Sequence, residues 1–266
     1  MRLKIMFLAL FFVSLMLFST PALDALFFEE IKAVSSEVNK EYTIVIDPGH
    51  GGFDGGAISK DGTKEKDLNL SIALKLKDVA EEYPVKVIMT RTEDCSLDSG
   101  EVNGGNKKSE DLNRRKEMID ESKADLTISI HMNSYPEDAS VYGAQVFYPN
   151  EEQKRTEGNM GEQSSKSYAQ NIQKSLEFNI PDGRERQAMT KNDILLFKNP
   201  NSPIILVECG FLSNIDECKR LKSLEYQELL ATAIWEGINT SFSLEKEQKI
   251  QIIQSANKNG KNSIDK

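Results

Sequence analysis

The sequence predicts an α/β protein with a single domain, in which a mixed, mostly parallel sheet is covered by helices on both faces. Six short apolar runs alternate with segments of helical periodicity along the chain. Strands that alternate with helices in this way are typical of sheets with parallel pairs. Two runs, "TIVI" from residue 43 and "PIILV" from residue 203, are apolar throughout. Such continuous runs indicate central strands that are buried on both faces.

The predicted strands are residues 42–47, 85–90, 125–131, 143–148, 194–197 and 203–209. The predicted helices are residues 67–83, 111–122, 161–178 and 224–242. The last of these repeats an apolar residue every four positions, which is the spacing of one helix face. Two polar segments, 92–110 and 149–162, are predicted as long loops. Each loop could form a functional rim or be a solvated insertion without a role.

The two ends of the chain differ in composition from the part between them. "MRLK" is followed by the apolar run "IMFLALFFVSLMLF" and then by small residues in "STPALDA". This layout predicts a secretory signal over residues 1–25, with an uncleaved membrane anchor as the alternative. Residues 26–41 are predicted as a linker, 42–242 as the catalytic domain, and 243–266 as a polar tail that is a frayed helix or disordered. Either form of the leader places the folded domain outside the cytoplasm.

Charge and cysteine content exclude two broad classes of function. The chain has 33 Lys and Arg against 42 Asp and Glu, a net charge of -9, and no block of basic residues. These features argue against nucleic acid as a partner. The three cysteines are an odd number and do not have zinc-knuckle spacing, so no disulfide framework or thiol chemistry is expected. Cys209, inside an apolar run, is predicted to be a small buried hydrophobic residue.

Three chemically reactive side chains directly follow apolar runs. His50 follows "TIVIDPG", His131 ends "LTISIH", and Glu208 ends "PIILVE". Ligands of open α/β sheets collect beyond the carboxyl ends of strands, so these residues predict a site there. A single histidine at a strand end is as compatible with a structural hydrogen bond as with a metal. Both histidines of the chain occupy such ends, however, and this favours a metal site.

Two acidic residues extend this hypothesis. Glu65 lies between two lysines, which is typical of a solvated surface, yet it follows the glycine-rich segment that begins at His50. It is therefore a candidate third ligand. Glu208 follows five apolar residues, and a buried carboxylate needs a partner. Either a neighbouring Arg or Lys pairs with it, or it faces the metal site and accepts a proton from a water molecule.

Several motifs, in this order, carry a family resemblance. They are "DPGHGG", "GAISKDGTKEKDLNL", "TR" at 90–91, "LNRR" at 112–115, "ADLTISIHMNS" and "ILVECGFLSN". Over residues 43–242 the chain resembles the zinc-dependent N-acetylmuramoyl-L-alanine amidases of the amidase-3 family. The resemblance implies that His50, Glu65 and His131 bind Zn2+ and that Glu208 is the catalytic carboxylate. It implies cleavage of the amide between N-acetylmuramic acid and L-alanine in peptidoglycan.

The resemblance is strongest to the short, germination-specific members of spore formers, which have a leader and no wall-binding repeats. It implies a secreted or cell-wall location, with membrane association through the N-terminus as the alternative, and formation of muramic-δ-lactam in the spore cortex. It also implies that a lipoprotein partner is an option. Two rival hypotheses remain. One is a catalytically weak wall-binding or regulatory subunit with the same fold, and the other is a different zinc peptidase or deacetylase.

The sequence leaves alternative roles open for several other polar residues. Arg91 and Arg114 could bind carboxylates of the substrate, pair with Glu208, or be surface charges. Asp47 could hydrogen-bond a zinc ligand. Asn133 and Asn214 could orient ligands or close turns, and a turn is favoured for Asn214.

Overall fold

The computed structural model describes residues 41–98, 100, 106–150, 164–180 and 184–264. The predicted leader, residues 1–25, lies outside these ranges, as does nearly all of the predicted linker. Residues 41–243 form one compact unit, and residues 244–264 belong to a second unit. The elements in chain order are β1 (Tyr42–Pro48), α1 (Glu65–Ala80), β2 (Val85–Met89), α2 (Lys107–Ser122), β3 (Leu126–Asn133), β4 (Gln145–Tyr148), α3 (Ser165–Asn179), β5 (Met189–Thr190), β6 (Ile204–Phe211), α4 (Ile215–Leu221) and α5 (Leu224–Ile264).

The six strands form one mixed sheet in the order β2-β1-β3-β6-β4-β5. The pairs β1–β2, β1–β3, β3–β6 and β4–β5 are parallel, and only β4–β6 is antiparallel among the described pairs. The two strands predicted to be central, β1 and β6, are buried along almost their whole length. This topology confirms the predicted fold class.

Helices cover both faces of the sheet, as predicted. Side chains alternate between the faces along a strand, so Ile44 and Ile46 pack on one side while Val45 packs on the other. The larger cluster joins the sheet to α1, α3, α4 and α5 and includes the buried Trp235. The smaller cluster joins it to α2. Cys209 is fully buried in β6, as the sequence predicts.

The prediction of a strand at residues 194–197 is wrong. Leu195–Phe197 is a turn of 3-10 helix, with Leu196 and Phe197 buried in the smaller cluster. Apolar runs of four residues do not distinguish a strand from a helical turn, because either conformation can bury them. The edge strand is β5, which is two residues long and exposed, so it carries no hydrophobic signal.

Two of the predicted helices begin earlier than predicted, and another extends much further. α1 begins at Glu65 rather than residue 67, and α2 begins at Lys107, inside the predicted loop 92–110. The loop 149–162 lies almost entirely outside the described residues. α5 continues through Ile264, so the polar tail is helical as far as it is described. No helix within the described ranges has the length and apolar character to cross a membrane.

Candidate active site

Three predicted ligands converge at the carboxyl ends of the central strands. His50 follows β1, His131 lies near the end of β3, and Glu65 is the first residue of α1. Each residue offers one ligand atom, and the three atoms lie within 4.8 Å of one another. Because β1 and β3 are parallel neighbours, their carboxyl ends meet at the same edge, and the connection from β1 brings α1 back to it.

Glu65 links the two imidazoles. Its Oε1 atom lies 2.9 Å from Nδ1 of His131 and 3.2 Å from Nε2 of His50. The two rings are 5.0 Å apart between centroids and nearly perpendicular, at 76°. The backbone N–H of Met132 donates to the same Oε1 atom, and the N–H of Ala57 donates to Oε2. The carboxylate is thus held from several directions by the protein itself.

The electrostatics of Glu65 favour its charged form. The residue is 4% exposed, which contradicts the interpretation as a solvated surface residue. Burial by itself would raise the pKa of Glu65, but hydrogen bonds from His131 and His50 outweigh burial and hold the pKa well below its usual range. For His50, burial acts to lower the pKa, but the carboxylates of Glu65 and Asp54 raise it above its usual value.

The turn after β1 requires glycine at two positions around these ligands. His50 itself has a left-handed backbone, with φ of 61°. A Cβ atom on Gly49 would lie 2.2 Å from the ring of His131. A Cβ atom on Gly56 would lie 2.5 Å from Oε2 of Glu65 and 2.8 Å from the ring of His50. The glycines therefore provide the space in which the two imidazoles and the carboxylate meet.

Two buried arginines hold the backbone of this turn. Arg91 donates from Nε to the carbonyl of Pro48 and from Nη2 to the carbonyl of Gly49. Arg115 donates from Nη1 to the carbonyl of Pro48 and from Nη2 to the carbonyl of His50. Both side chains are almost fully buried. The planar guanidinium, with several donors in a fixed geometry, suits a turn in which neighbouring backbone carbonyls accept from one side chain.

These contacts correct two predictions. Arg91 is neither a surface charge nor a partner of Glu208, because its donors are directed to backbone carbonyls. Asp47 does not hydrogen-bond a predicted ligand. It accepts from Thr90, Ser129 and Arg115. Burial would raise the pKa of Asp47, but Arg115 and the two hydroxyls keep it below its usual value.

Asp54, which the sequence reasoning missed, performs the role predicted for Asp47. Its Oδ2 atom lies 2.9 Å from Nδ1 of His50, opposite the nitrogen that faces Glu65. Lys108 forms an ion pair with the same carboxylate at 3.0 Å. Burial acts to raise the pKa of Asp54, but His50 and Lys108 lower it to about 2. The sequence does place this acidic residue four positions after His50, within the same glycine-rich segment, and that proximity could have indicated the contact.

Glu208 lies beside His131, in the paired position of the neighbouring strand β6. Its side chain is 8% exposed, and Lys191 Nζ lies 3.7 Å from its Oε1 atom. Its Oε2 atom is buried and has no hydrogen-bond partner among the described residues. Burial raises the pKa of Glu208. Both alternatives from the sequence hold at once, since Glu208 has a lysine neighbour and also borders the cluster of predicted ligands.

The remaining candidates have structural roles. Arg114 is exposed and forms an ion pair with Glu110 on its own helix. The side chain of Asn133 accepts from the backbone N–H of Ser134. Asn214 caps α4 by accepting from the N–H of Glu217, in agreement with the turn that the sequence favoured. Arg115 was missed as a functional residue, although its spacing of four from Asp111 places both on one helix face.

The cluster of His50, Glu65 and His131 fits a zinc ion by its chemistry and its dimensions. Two imidazoles and one carboxylate form a recognised three-residue set for catalytic zinc, which leaves one position for water. Atoms that coordinate one tetrahedral zinc at about 2.0–2.1 Å are separated by roughly 3.3 Å. The observed separations from Glu65 Oε1, 2.9 and 3.2 Å, are close to this value. The Asp54 contact to His50 adds the carboxylate that metal-bound histidines usually have.

Comparison with known proteins agrees with this geometry. The family model of N-acetylmuramoyl-L-alanine amidase matches residues 44–240. The germination-specific N-acetylmuramoyl-L-alanine amidase of Bacillus subtilis is 38% identical over 203 residues, which are 75% of this chain and 79% of that protein. The CwlD amidase of Clostridioides difficile, solved in complex with the GerS lipoprotein, is 42% identical with a TM-score of 0.70, over 77% of this chain and all of that one.

A second solved structure, an N-acetylmuramoyl-L-alanine amidase from Clostridium difficile 630, is 32% identical with a TM-score of 0.62. It covers 75% of this chain and 96% of that one. The family match includes His50, Glu65, His131 and Glu208, and it spans the sheet from β1 to β6. The chain belongs to the N-acetylmuramoyl-L-alanine amidase family.

Proposed function

We propose that this protein is a zinc-dependent amidase that acts outside the cytoplasm on spore-cortex peptidoglycan. It cleaves the amide between the lactyl group of N-acetylmuramic acid and L-alanine and so prepares the muramic-δ-lactam that germination requires. The observation that carries the proposal is the convergence of His50, Glu65 and His131 beside the unpartnered carboxylate oxygen of Glu208. The germination-specific relative in Bacillus subtilis supports the cortex as the substrate.

His50, Glu65 and His131 hold Zn2+ in this proposal, and Asp54 orients His50. Bound zinc would lower the pKa of a coordinated water to about 7 and polarise the scissile carbonyl. Glu208 accepts a proton from the attacking water as the new C–O bond forms. Glu208 then gives this proton to the nitrogen of L-alanine as the C–N bond breaks. The products are the free lactyl carboxylic acid and the amine of the stem peptide.

The raised pKa of Glu208 suits a group that both accepts and donates a proton. A carboxyl group with an ordinary pKa is a weak base near neutral pH, and burial makes it a stronger one. The unpartnered Oε2 atom gives this carboxylate an open acceptor for a water molecule or for the amide N–H. A catalytically weak subunit has no need of such a costly buried carboxylate, which favours the enzyme over that rival.

The location and partner of the protein follow from other features. We propose that residues 1–25 direct the chain out of the cytoplasm or anchor it in the membrane. Residues 42–242 form the catalytic domain. One solved relative is a complex of an amidase with a lipoprotein, so we propose that a lipoprotein also binds this chain.

Two variants test the assigned roles in one experiment. Purified protein is loaded with zinc, and both bound metal and release of stem peptide from cortex peptidoglycan are measured. Glu208→Gln should retain about one zinc per chain and lose cleavage by at least 100-fold, the lower part of the range for general acid–base catalysis. His131→Ala should lose both. Unchanged cleavage by Glu208→Gln would reject its role, and full zinc retention by His131→Ala would reject the ligand set.

A further inference from the structure

We propose that Lys191 binds a carboxylate of the stem peptide next to the cleaved bond and so determines preference for an anionic peptide. This inference rests on the proposed function and assigns a specificity role to a residue outside the family motifs. Lys191 directly follows the edge strand β5. It lies on the opposite side of Glu208 from His131, because β4 and β5 follow β6 in the sheet.

Three contacts position Lys191, one through its backbone and two through its ammonium group. The backbone N–H of Lys191 donates to the carbonyl of Tyr148, which continues the β4–β5 pairing by one residue. The side chain then returns across β4, where Nζ lies 5.0 Å from the centroid of the Phe147 ring. Its end is 3.7 Å from Oε1 of Glu208. A cation over an aromatic face is attracted by the ring, so Phe147 helps to hold the ammonium at this point.

The ammonium remains available for a ligand. At 3.7 Å its contact with Glu208 is an ion pair that is longer than a hydrogen bond. The side chain of Lys191 is 34% exposed, whereas that of Glu208 is 8% exposed. An ammonium group has three donors, so it can face Glu208 and still donate to an acceptor on the solvent side.

The substrate offers an acceptor at a matching distance. The residue after L-alanine in a stem peptide is D-glutamate, whose α-carboxylate lies within roughly two residue lengths, about 7 Å, of the cleaved nitrogen. If Glu208 faces this nitrogen, a carboxylate bound on the far side of Lys191 is separated from Glu208 by the ammonium. The two negative charges are then bridged by a cation instead of repelling each other.

The overall negative charge of the protein favours a local cation for such a ligand. The chain has a net charge of -9, which disfavours approach of an anionic peptide. Lys191 is the cation that contacts the catalytic carboxylate among the described residues. It is therefore placed to offset this repulsion where the peptide enters.

Two synthetic substrates that differ only in this charge test the proposal. They are N-acetylmuramoyl-L-alanyl-D-glutamate and the same compound with D-isoglutamine, in which an amide replaces the α-carboxylate. Wild-type, zinc-loaded protein should cleave the acid with kcat/KM about fivefold higher than the amide, through KM, as for a solvent-accessible ion pair of about 1 kcal/mol. Lys191→Met should bring this ratio close to one, and Lys191→Arg should restore most of it.

The ratio separates specificity from general damage to the site. A loss of kcat that affects both compounds equally leaves the ratio unchanged and so does not count as support. Lys198→Met, which removes another exposed lysine from the next segment, should keep the wild-type ratio. Equal kcat/KM for the two compounds with wild-type protein, or an unchanged ratio in Lys191→Met, would overturn the role of Lys191. Cleavage of neither compound by wild-type protein would instead contradict the proposed amidase function.

Discussion

His131 and Glu208 occupy paired positions on two adjacent parallel strands, β3 and β6. A predicted metal ligand and the proposed proton carrier are therefore set side by side by the backbone hydrogen bonds of the sheet. This relationship does not depend on a flexible loop. The contacts around it lead to four predictions, and the last three each have a control variant within the same chain.

The first prediction concerns the pH dependence of folding in metal-free protein. The pKa of Glu208 is raised on folding, so the folded state keeps its proton at a pH where the unfolded state has lost it. The free energy of unfolding that Glu208 contributes therefore falls as pH rises from its ordinary pKa through the raised one. Glu208→Gln should remove this part of the pH dependence and be more stable than wild type at pH 7. Urea unfolding between pH 4 and 8 measures the free energy of unfolding of both proteins. The same pH dependence in wild type and Glu208→Gln would contradict this prediction.

The second prediction uses two glycines with the same backbone requirement. Gly56 and Gly62 both have positive φ, 67° and 89°, but only Gly56 is close to the ligands. Gly62→Ala should cost about 1–2 kcal/mol of stability from backbone strain alone and leave zinc affinity unchanged. Gly56→Ala should also displace Glu65 and His50 and weaken zinc binding at least tenfold. Competition with a chromophoric chelator gives the affinities. Equal zinc binding by the two variants would argue against the role of Gly56.

The third prediction tests the carboxylate behind His50. Asp54→Asn should weaken zinc binding by about 10–100-fold, the usual effect of removing such a partner of a ligand. Lys108→Met removes the ion pair with Asp54 but leaves its contact with His50. This control should change zinc affinity by less than threefold, because the lysine side chain is 52% exposed and its ion pair is weak. A similar loss of zinc affinity in both variants would mean that zinc binding depends on the charge of the loop rather than on the hydrogen bond between Asp54 and His50.

The fourth prediction compares two adjacent arginines on α2. Arg115→Lys loses the forked contacts to the carbonyls of Pro48 and His50. It should destabilise the protein by about 2–3 kcal/mol, as expected for hydrogen bonds of a buried charge, and weaken zinc binding about tenfold. Arg114→Lys, on the exposed face, should change stability by less than about 0.5 kcal/mol. Thermal unfolding with and without zinc measures the stability and the zinc binding of both variants. Normal zinc affinity in Arg115→Lys would show that the turn keeps its shape without the guanidinium.

Much of the fold and of the site could be predicted because the relevant residues follow strong hydrophobic patterns. β1, β3 and β6 are buried on both faces and form apolar runs in the sequence. His50 follows β1, and His131 and Glu208 lie in the carboxyl-terminal halves of β3 and β6. Glu65 was ambiguous from its neighbours alone. Lys66, the lysine after it, is buried and donates to the carbonyl of Gly52 and to Asp94, so this lysine is not evidence of a surface position.

The roles that could not be predicted depend on contacts to the backbone, on the direction of a turn or on the order of the strands. Arg91 and Arg115 donate to backbone carbonyl oxygens. Every residue has such an oxygen, so the sequence does not indicate which ones an arginine will contact. Asp47 lies three residues before His50 and Asp54 lies four residues after it, and the direction of the turn decides which one reaches the imidazole. Lys191 lies beyond a two-residue strand without a hydrophobic pattern, so its contact with Glu208 could only come from the sheet order.

The measurement that tests the central claim most directly is mass spectrometry of cortex peptidoglycan digested with purified, zinc-loaded protein. We predict free stem peptides with L-alanine at the amino terminus, together with glycan strands that carry the unsubstituted lactyl carboxylic acid. Removal of zinc with a chelator should abolish both products, and added zinc should restore them. Release of acetate, cleavage inside the stem peptide, or unaltered peptidoglycan would contradict the assignment.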